Sequence, residues 1–436
     1  MAEIRPFRGV HYNRRRIKEL ALVICPPYDI ISPQFQEELY KRSQYNFVRL
    51  EYARELPQDN NTDNKYTRSA AILGEWLDKG ILVTDDEPAI YLHDHHFTYR
   101  GLKYVRRGIA VRVRLEEQNG SNIRPHEGTL SAQKSDRLSL LWACQANISP
   151  IFAIFEDKQR QISSLLSGIK PGRPVISSRD ADGESHNIWA ITGQETVEQI
   201  CRFFSDKPLY IADGHHRYES AQTYRRERLS CSPSSSEDEP FNFVMMTLVD
   251  FADPGLLILP PHRLVRGLAK TTLDELRGKL ESFFDVEELA LNMPDVWEQV
   301  DSLTAEPDKI RLVFFGLTGE RLMVLTLRDF NSVSRMMPYF HGELYKKLEV
   351  SIIDHVILEE MLGLSGGHRE AILNYSYDRE DAVNKVRDGE YQLTFLLKPI
   401  KADVIKTIAD AGDRMPKKST YFYPKVPAGL VVYRLV

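Results

Sequence analysis

Apolar and polar positions along the chain follow two periods, and the switches between them mark out its elements. From Tyr66 to Lys79, the residues Ala70, Ile72, Leu73, Trp76 and Leu77 recur at helical spacing, and Gly80 follows as a stop. Upstream, Leu22 to Tyr28 is extended, because Pro26-Pro27 ends any regular element before Asp29. Ser32-Pro33 then reads as the cap and first residue of a helix to about Lys41. Ile81 to Val83, Ala89 to Tyr99 and Tyr104 to Leu115 are predicted strands, the last two joined through a turn near Arg100-Gly101. The pattern weakens between Lys158 and Glu198, where helical and extended pieces alternate with polar turns. Leu209 to Ala212 is a short apolar strand and Asp213-Gly214 a tight turn, after which Tyr218, Ala221, Gln222 and Tyr224 suit a helix.

Ser230 to Glu239 is Ser-rich, acidic and without apolar period, so a solvated loop is expected. Phe241 to Phe251 and Leu256 to Leu259 return to strand. The last third mixes helices near Leu273–Phe284, Leu344–Leu362 and Ala402–Ala411 with strands near Ile310–Phe315, Leu322–Leu327 and Tyr391–Leu397. No fixed-period repeat is present, and the irregular order of elements predicts an α+β fold of mixed sheets with helices. A length of 436 residues implies two to four domains. The reading divides them into an N-terminal α/β segment (1–115), a catalytic core (116–260) and a C-terminal α+β segment that contributes to the site (261–436).

Composition narrows the function classes. With 42% hydrophobic and 27% charged residues the chain can bury a core. The 57 Lys+Arg against 62 Asp+Glu leave a charge of −5, so no global field draws it to nucleic acid or anionic lipid. No apolar run approaches the ~20 residues of a membrane span, and Met1 to Gly9 carries no hydrophobic signal segment. A cytoplasmic protein without membrane or nucleic-acid partner is expected. Cys25, Cys144, Cys201 and Cys231 are scattered, which suggests reduced packing residues.

The densest candidate chemistry is Asp213-Gly214-His215-His216-Arg217, at the end of a strand and the start of a helix. Such a junction aims backbone N–H groups outward and favours an anion, usually phosphate. Gly214 lets backbone approach a ligand, Arg217 offers a forked donor, and the histidines can donate or move protons. The competing account is a capped helix with exposed histidines. In Arg124-Pro125-His126-Glu127-Gly128-Thr129, Glu127 could serve as general base for a hydroxyl, or the segment is a surface turn. Lys417, Lys418, Ser419 and Thr420 suit a phosphate clamp, or a basic loop before a core aromatic strand. Lys134, Asp136 and Arg137 could form a helix face. His93, Asp94, His95 and His96 invite a metal, but a strand puts only His93 and His95 on one face. With two ligands at best, a half-exposed strand is expected and no metal is assigned.

Taken together, Arg5-Pro6-Phe7, Pro26-Pro27-Tyr28-Asp29, Pro125-His126-Glu127 with Thr129, Asp136-Arg137, Ala212 to Tyr218 with Ala221, and Met415 to Lys425 resemble the bacterial and archaeal family called domain of unknown function 1015. The islands run through the whole chain. The turn at Asp213 to Arg217 is similar to that of the ParB and sulfiredoxin superfamily, which sets it on nucleotide phosphates, and within it to free serine kinase. The resemblance implies a ParB/sulfiredoxin-like core and phosphoryl transfer to a small-molecule hydroxyl, serine-like by analogy, from ATP or ADP with Mg²⁺. It implies Asp213, His215 and His216 at the phosphates and reacting hydroxyl, Glu127 as activating carboxylate, and Gly214, Arg217, Lys417, Lys418, Ser419 and Thr420 on phosphate. His126, Tyr28, Asp29 and Arg137 are supporting positions, and a homodimer is compatible with it. The alternatives are a nucleotide-binding ParB-like switch without acceptor, or a phosphatase. Sulfiredoxin-like redox chemistry lacks a cysteine at the turn, Cys201 lying upstream on an expected helix.

Overall fold

The computed structural model describes all residues except 1, 117–121, 170–171, 181–182, 232–235, 307, 365 and 367–370. The fold is α+β, and the chain divides into two units. The first comprises Met1–Pro125, Thr129–Leu257 and Phe422–Val436, and the second His126–Gly128 and Ile258–Tyr421.

A nine-stranded mixed sheet organises the first unit. Its strands are β1 (Ile4–Arg5), β2 (Ile90–Tyr99), β3 (Leu102–Arg114), β4 (Ile123–Pro125), β5 (Ile151–Phe155), β6 (Ile176–Arg179), β7 (Ser185–Ile191), β8 (Leu209–Asp213) and β9 (Phe243–Asp250). The order is β4-β8-β5-β9-β3-β2-β7-β6, with β1 beside β3. β2 and β3 form the expected hairpin, Tyr99 opposite Leu102, with Arg100 and Gly101 both at positive φ. β9 is apolar almost throughout because it lies between β3 and β5, inside the sheet.

The half-exposed strand expected around His93 is corrected. β2 is flanked by β3 and β7, and Ile90 to His95 are all buried, on both faces. Burial follows from its place inside a wide sheet, which local alternation does not record.

Helices α1 (Pro33–Arg42), α2 (Val48–Glu51), α3 (Lys65–Asp78) and α4 (Ser131–Cys144) belong to this unit. α1 starts where expected, the Ser32 side chain accepting from the Phe35 N–H at 3.1 Å. α3 begins one residue before the expected start with a capping box on Asn64, and Gly80 follows at φ +62°. Cys201 lies on a helix, Gln194–Phe204. In the expected loop from Ser230 to Glu239, residues 232–235 lie outside the described residues, and α5 (His215–Cys231) runs to its edge. A four-stranded sheet joins Leu82–Thr84, Gly9–Tyr12, Val432–Arg434 and Ala146–Asn147, so the last strand of the chain returns to the first unit.

The second unit carries a six-stranded antiparallel sheet of β10 (His262–Val265), β11 (Phe284–Ala290), β12 (Arg311–Phe315), β13 (Arg321–Leu327), β14 (Leu373–Ser376) and β15 (Leu393–Leu396). The order is β11-β13-β12-β15-β10-β14. Leu312 and Phe314 enter one core cluster while Val313 and Phe315 enter another, which is why β12 reads as a continuous apolar run. The single helix expected over Leu344–Leu362 is corrected to three pieces, Glu343–Lys346, Glu349–Ser351 and a π-helix, α6 (Ile352–Met361). Leu348 takes extended backbone, φ −64° and ψ 134°, and breaks the run. No described helix of either unit is long and apolar enough to cross a membrane.

Phe314 is fully buried and stacks on Phe395 with ring centroids 4.9 Å apart. Phe314→Ala is expected to destabilise the second unit by about 3–5 kcal/mol. Urea unfolding should show the loss as an earlier transition.

Candidate functional site

The turn at Asp213 is built by three local devices. β8 pairs parallel with β4, Leu209 opposite Ile123 and Ile211 opposite Pro125, and antiparallel with β5. A bulge between Ile211 and Asp213 breaks the second ladder and turns the strand end. Gly214 then sits at φ +92°, in the left-handed region, and its carbonyl accepts from the Tyr218 N–H as α5 begins. The first turn of a 17-residue helix thus opens at the end of a buried strand.

Asp213 lies between two cations. Oδ2 accepts from Arg217 at 2.7 Å, and Oδ1 from Lys425, a residue more than two hundred positions away in sequence. Arg217 also donates to the Pro150 carbonyl at 2.5 Å, while its buried Nε has no hydrogen-bond partner among the described residues. A Cβ on Gly214 would fall 3.0–3.1 Å from that guanidinium, so any larger residue makes Arg217 give way by a few tenths of an ångström. His215 is buried in the first turn of α5. His216 Nε2 accepts from the Leu130 N–H at 3.0 Å, so that nitrogen carries no proton. Thr129 donates to Glu219 at 2.7 Å and ties the same segment to α5.

Arg217 also lines a cavity with Glu51, Arg137, Ser149 and Ser220. Arg137 donates to the Glu51 carbonyl at 2.9 Å and stands 4.0 Å over the Tyr28 ring. The Glu51 carboxylate accepts from the Ser149 hydroxyl at 3.0 and 3.1 Å and from the Tyr28 N–H at 3.2 Å. Burial pushes the Glu51 carboxyl upward, with Arg137 and Arg217 opposing. The structure therefore gathers Asp213, Gly214, His215, His216, Arg217, Tyr28 and Arg137 into the first unit, with Asp29 exposed.

The second unit holds the other expected residues. Glu127 Oε1 accepts from the Ser419 and Thr420 N–H groups at 3.2 and 3.0 Å and from the Thr420 hydroxyl at 2.8 Å. Oε2 accepts from the Lys418 N–H at 3.3 Å. Lys418, at φ +56°, folds these consecutive amides around one carboxylate. The His126 ring is fully buried, 3.1 Å from the Thr420 hydroxyl, and Ser419 donates to the Pro416 carbonyl. The amides of the expected phosphate clamp hold Glu127, whereas the Lys417 and Lys418 side chains are exposed.

Sequence reasoning missed Glu51, Ser149 and Lys425. Glu51 follows Phe47-Val48-Arg49-Leu50, and a carboxylate two residues after an arginine looks like part of a solvated helix face. Lys425 closes the Met415–Lys425 island of the resemblance, but no local pattern ties it to Asp213.

A family model described as Protein of unknown function (DUF1015) matches residues 4–351. No curated protein matches the sequence. Among solved structures, a conserved hypothetical protein from Pyrococcus furiosus is 15% identical, covering 74% of this chain and 93% of its own, with a TM-score of 0.35. A free serine kinase variant in complex with ADP is 14% identical over 74% of this chain and 91% of its own, at 0.37. SbnI with a C-terminal truncation, from Staphylococcus aureus, is 9% identical over 74% and 86%, at 0.33. Likenesses of this size bear on neither site nor activity.

Gly214→Ala is expected to cost about 1–3 kcal/mol, because it adds strain at positive φ and displaces Arg217. Chemical denaturation of the purified variant measures it.

Proposed function

The chain belongs to the DUF1015 family, and we propose that it transfers a phosphoryl group from a nucleotide, ATP or ADP with Mg²⁺, to a small-molecule hydroxyl, serine-like by analogy. The observation that carries this reading is the buried Arg217 Nε, a charged donor without a partner among the described residues, lying over a left-handed glycine at a helix N-terminus. A desolvated donor of this kind is costly unless an acceptor completes it, and a phosphate oxygen does so with charge complementarity. The residues therefore fit a nucleotide phosphate.

They offer less to a protein-held metal. Asp213 is the carboxylate of the turn, and both its oxygens already accept from cations. Mg²⁺ enters with the nucleotide, where it neutralises phosphate charge.

In this reading Asp213 holds Arg217 and Lys425 in place, and Arg217 with the first turn of α5 grips phosphate. His215 and His216 stand beside the reacting groups. The acceptor oxygen bonds to phosphorus as the bond to the leaving phosphate breaks, and the hydroxyl proton passes to a carboxylate, the role that the resemblance assigns to Glu127. Its oxygens are fixed by the 418–420 amides, so its orientation is set before substrate arrives. The cavity at Glu51 and Arg137 pairs an anion with a cation, a polarity that suits the ammonium and carboxylate of a free amino acid.

Purified protein incubated with Mg²⁺, ATP or ADP, and a pool of hydroxylated metabolites including L-serine should give a phosphorylated product by mass spectrometry. Arg217→Met and Asp213→Asn should each lower kcat/KM by about 100-fold or more, and Glu127→Gln should lose turnover while still binding nucleotide. Absence of product, or full activity in Asp213→Asn and Glu127→Gln, overturns the reading. Release of inorganic phosphate without acceptor product transfers the site to a phosphatase.

A further inference from the structure

The inward face of β2 and β7 gathers imidazoles that no step above uses. In the antiparallel register His95 stands opposite His186 and His93 opposite Ile188. The His93 and His95 rings are parallel within 7°, with centroids 5.9 Å apart, and the His95 and His186 rings are 4.1 Å apart. Glu184, just before β7, brings Oε1 to 2.7 Å from His95 Nε2 and 3.5 Å from His186 Nε2. One donor atom from each of His95, Glu184 and His186 lies within 4.8 Å of the others. Four ligands on a tetrahedral zinc-type ion, with bonds of about 2.0–2.2 Å, are separated by about 3.3–3.6 Å. The His186–Glu184 separation already matches that spacing, while His95 and Glu184, hydrogen-bonded at 2.7 Å in the empty cluster, must part by about 0.6–0.9 Å to admit the ion.

We propose that His95, His186 and Glu184 bind one divalent transition-metal ion of zinc type, leaving a fourth coordination position open. Two nitrogens and one carboxylate oxygen are a donor set such ions favour over Mg²⁺ or Ca²⁺. His186 has the support that metal-bound histidines have: its Nδ1 is 3.1 Å from His93 Nε2, which makes His93 the positioning residue. His95 and His186 are buried, whereas the Glu184 side chain is 32% exposed and forms the entry. Arg106 lies 3.0 Å from His95 Nδ1 and so keeps the His95 proton on Nε2 in the unloaded protein. An ion on Nε2 requires that proton on Nδ1, facing the guanidinium, so Arg106 must withdraw onto the Tyr423 and Pro424 carbonyls that it meets at 3.3 and 2.8 Å, a cost set against the ion's binding. A one-strand reading offers only His93 and His95, whereas His186 lies on the neighbouring β7 and Glu184 just before it.

The test is titration of chelator-treated full-length protein with Co²⁺ and with Zn²⁺, following Co²⁺ absorption and bound metal after dialysis. Wild type should take up one equivalent. Glu184→Gln and His186→Asn should weaken binding by about 100-fold or more, and His93→Gln by about 10–100-fold, with circular dichroism unchanged. Should His186→Asn fail to fold, Glu184→Gln, at the exposed rim, decides alone. No stoichiometric uptake by wild type, or uptake unchanged in Glu184→Gln, would mean the cluster is a hydrogen-bond network only and the proposal is wrong.

Discussion

The parallel pairing of Ile123–Pro125 with Leu209–Ile211 is the constraint from which the arrangement of the first unit follows. Because the strands run the same way in register, both end at one edge of the sheet. β8 continues there into Gly214 and α5. Pairing of this kind cannot be made by a hairpin and needs a long crossover. Here the crossover takes in α4, β5 and the β6–β7 pair. The segment resuming at Thr129 is then bound to α5 through Glu219 and His216.

Charge is spent on holding loops as much as on offering them to ligands. Asp213 keeps Arg217 and Lys425 at the turn, so two cations converge without repelling each other outward. In the second unit the loop from Lys417 to Thr420 is gripped on both of its polar edges. Its amides meet Glu127, while the Lys418 carbonyl accepts from the fully buried Arg263 at 2.9 Å. Arg263 in turn pairs with Asp354 on the π-helix α6 at 3.2 Å. A buried guanidinium needs such a set of acceptors, and losing any one leaves charge uncompensated.

Short-range patterns were legible wherever the determinant was local. Ser32-Pro33, Gly80, the Arg100-Gly101 hairpin turn and the strand-glycine-helix at Asp213 are each set by residues within a few positions of one another. The broken helix after Leu344 was not legible, since its apolar spacing continues across Leu348 and only the backbone there departs from helix. Nor was Glu51 legible: a carboxylate two residues after Arg49 looks solvated, and its burial depends on Ser149 and Arg137 from distant segments.

The sequence by itself determined the α+β class and the strand–glycine–helix form of the Asp213 turn, because helical period, glycine and capping act over one or two turns of chain. Tertiary structure alone decided which of those residues have company. Lys425 reached Asp213, the 418–420 amides reached Glu127, and β7 set His186 against His95. Each depends on strand order and loop closure over tens to hundreds of residues, for which a linear pattern holds no record.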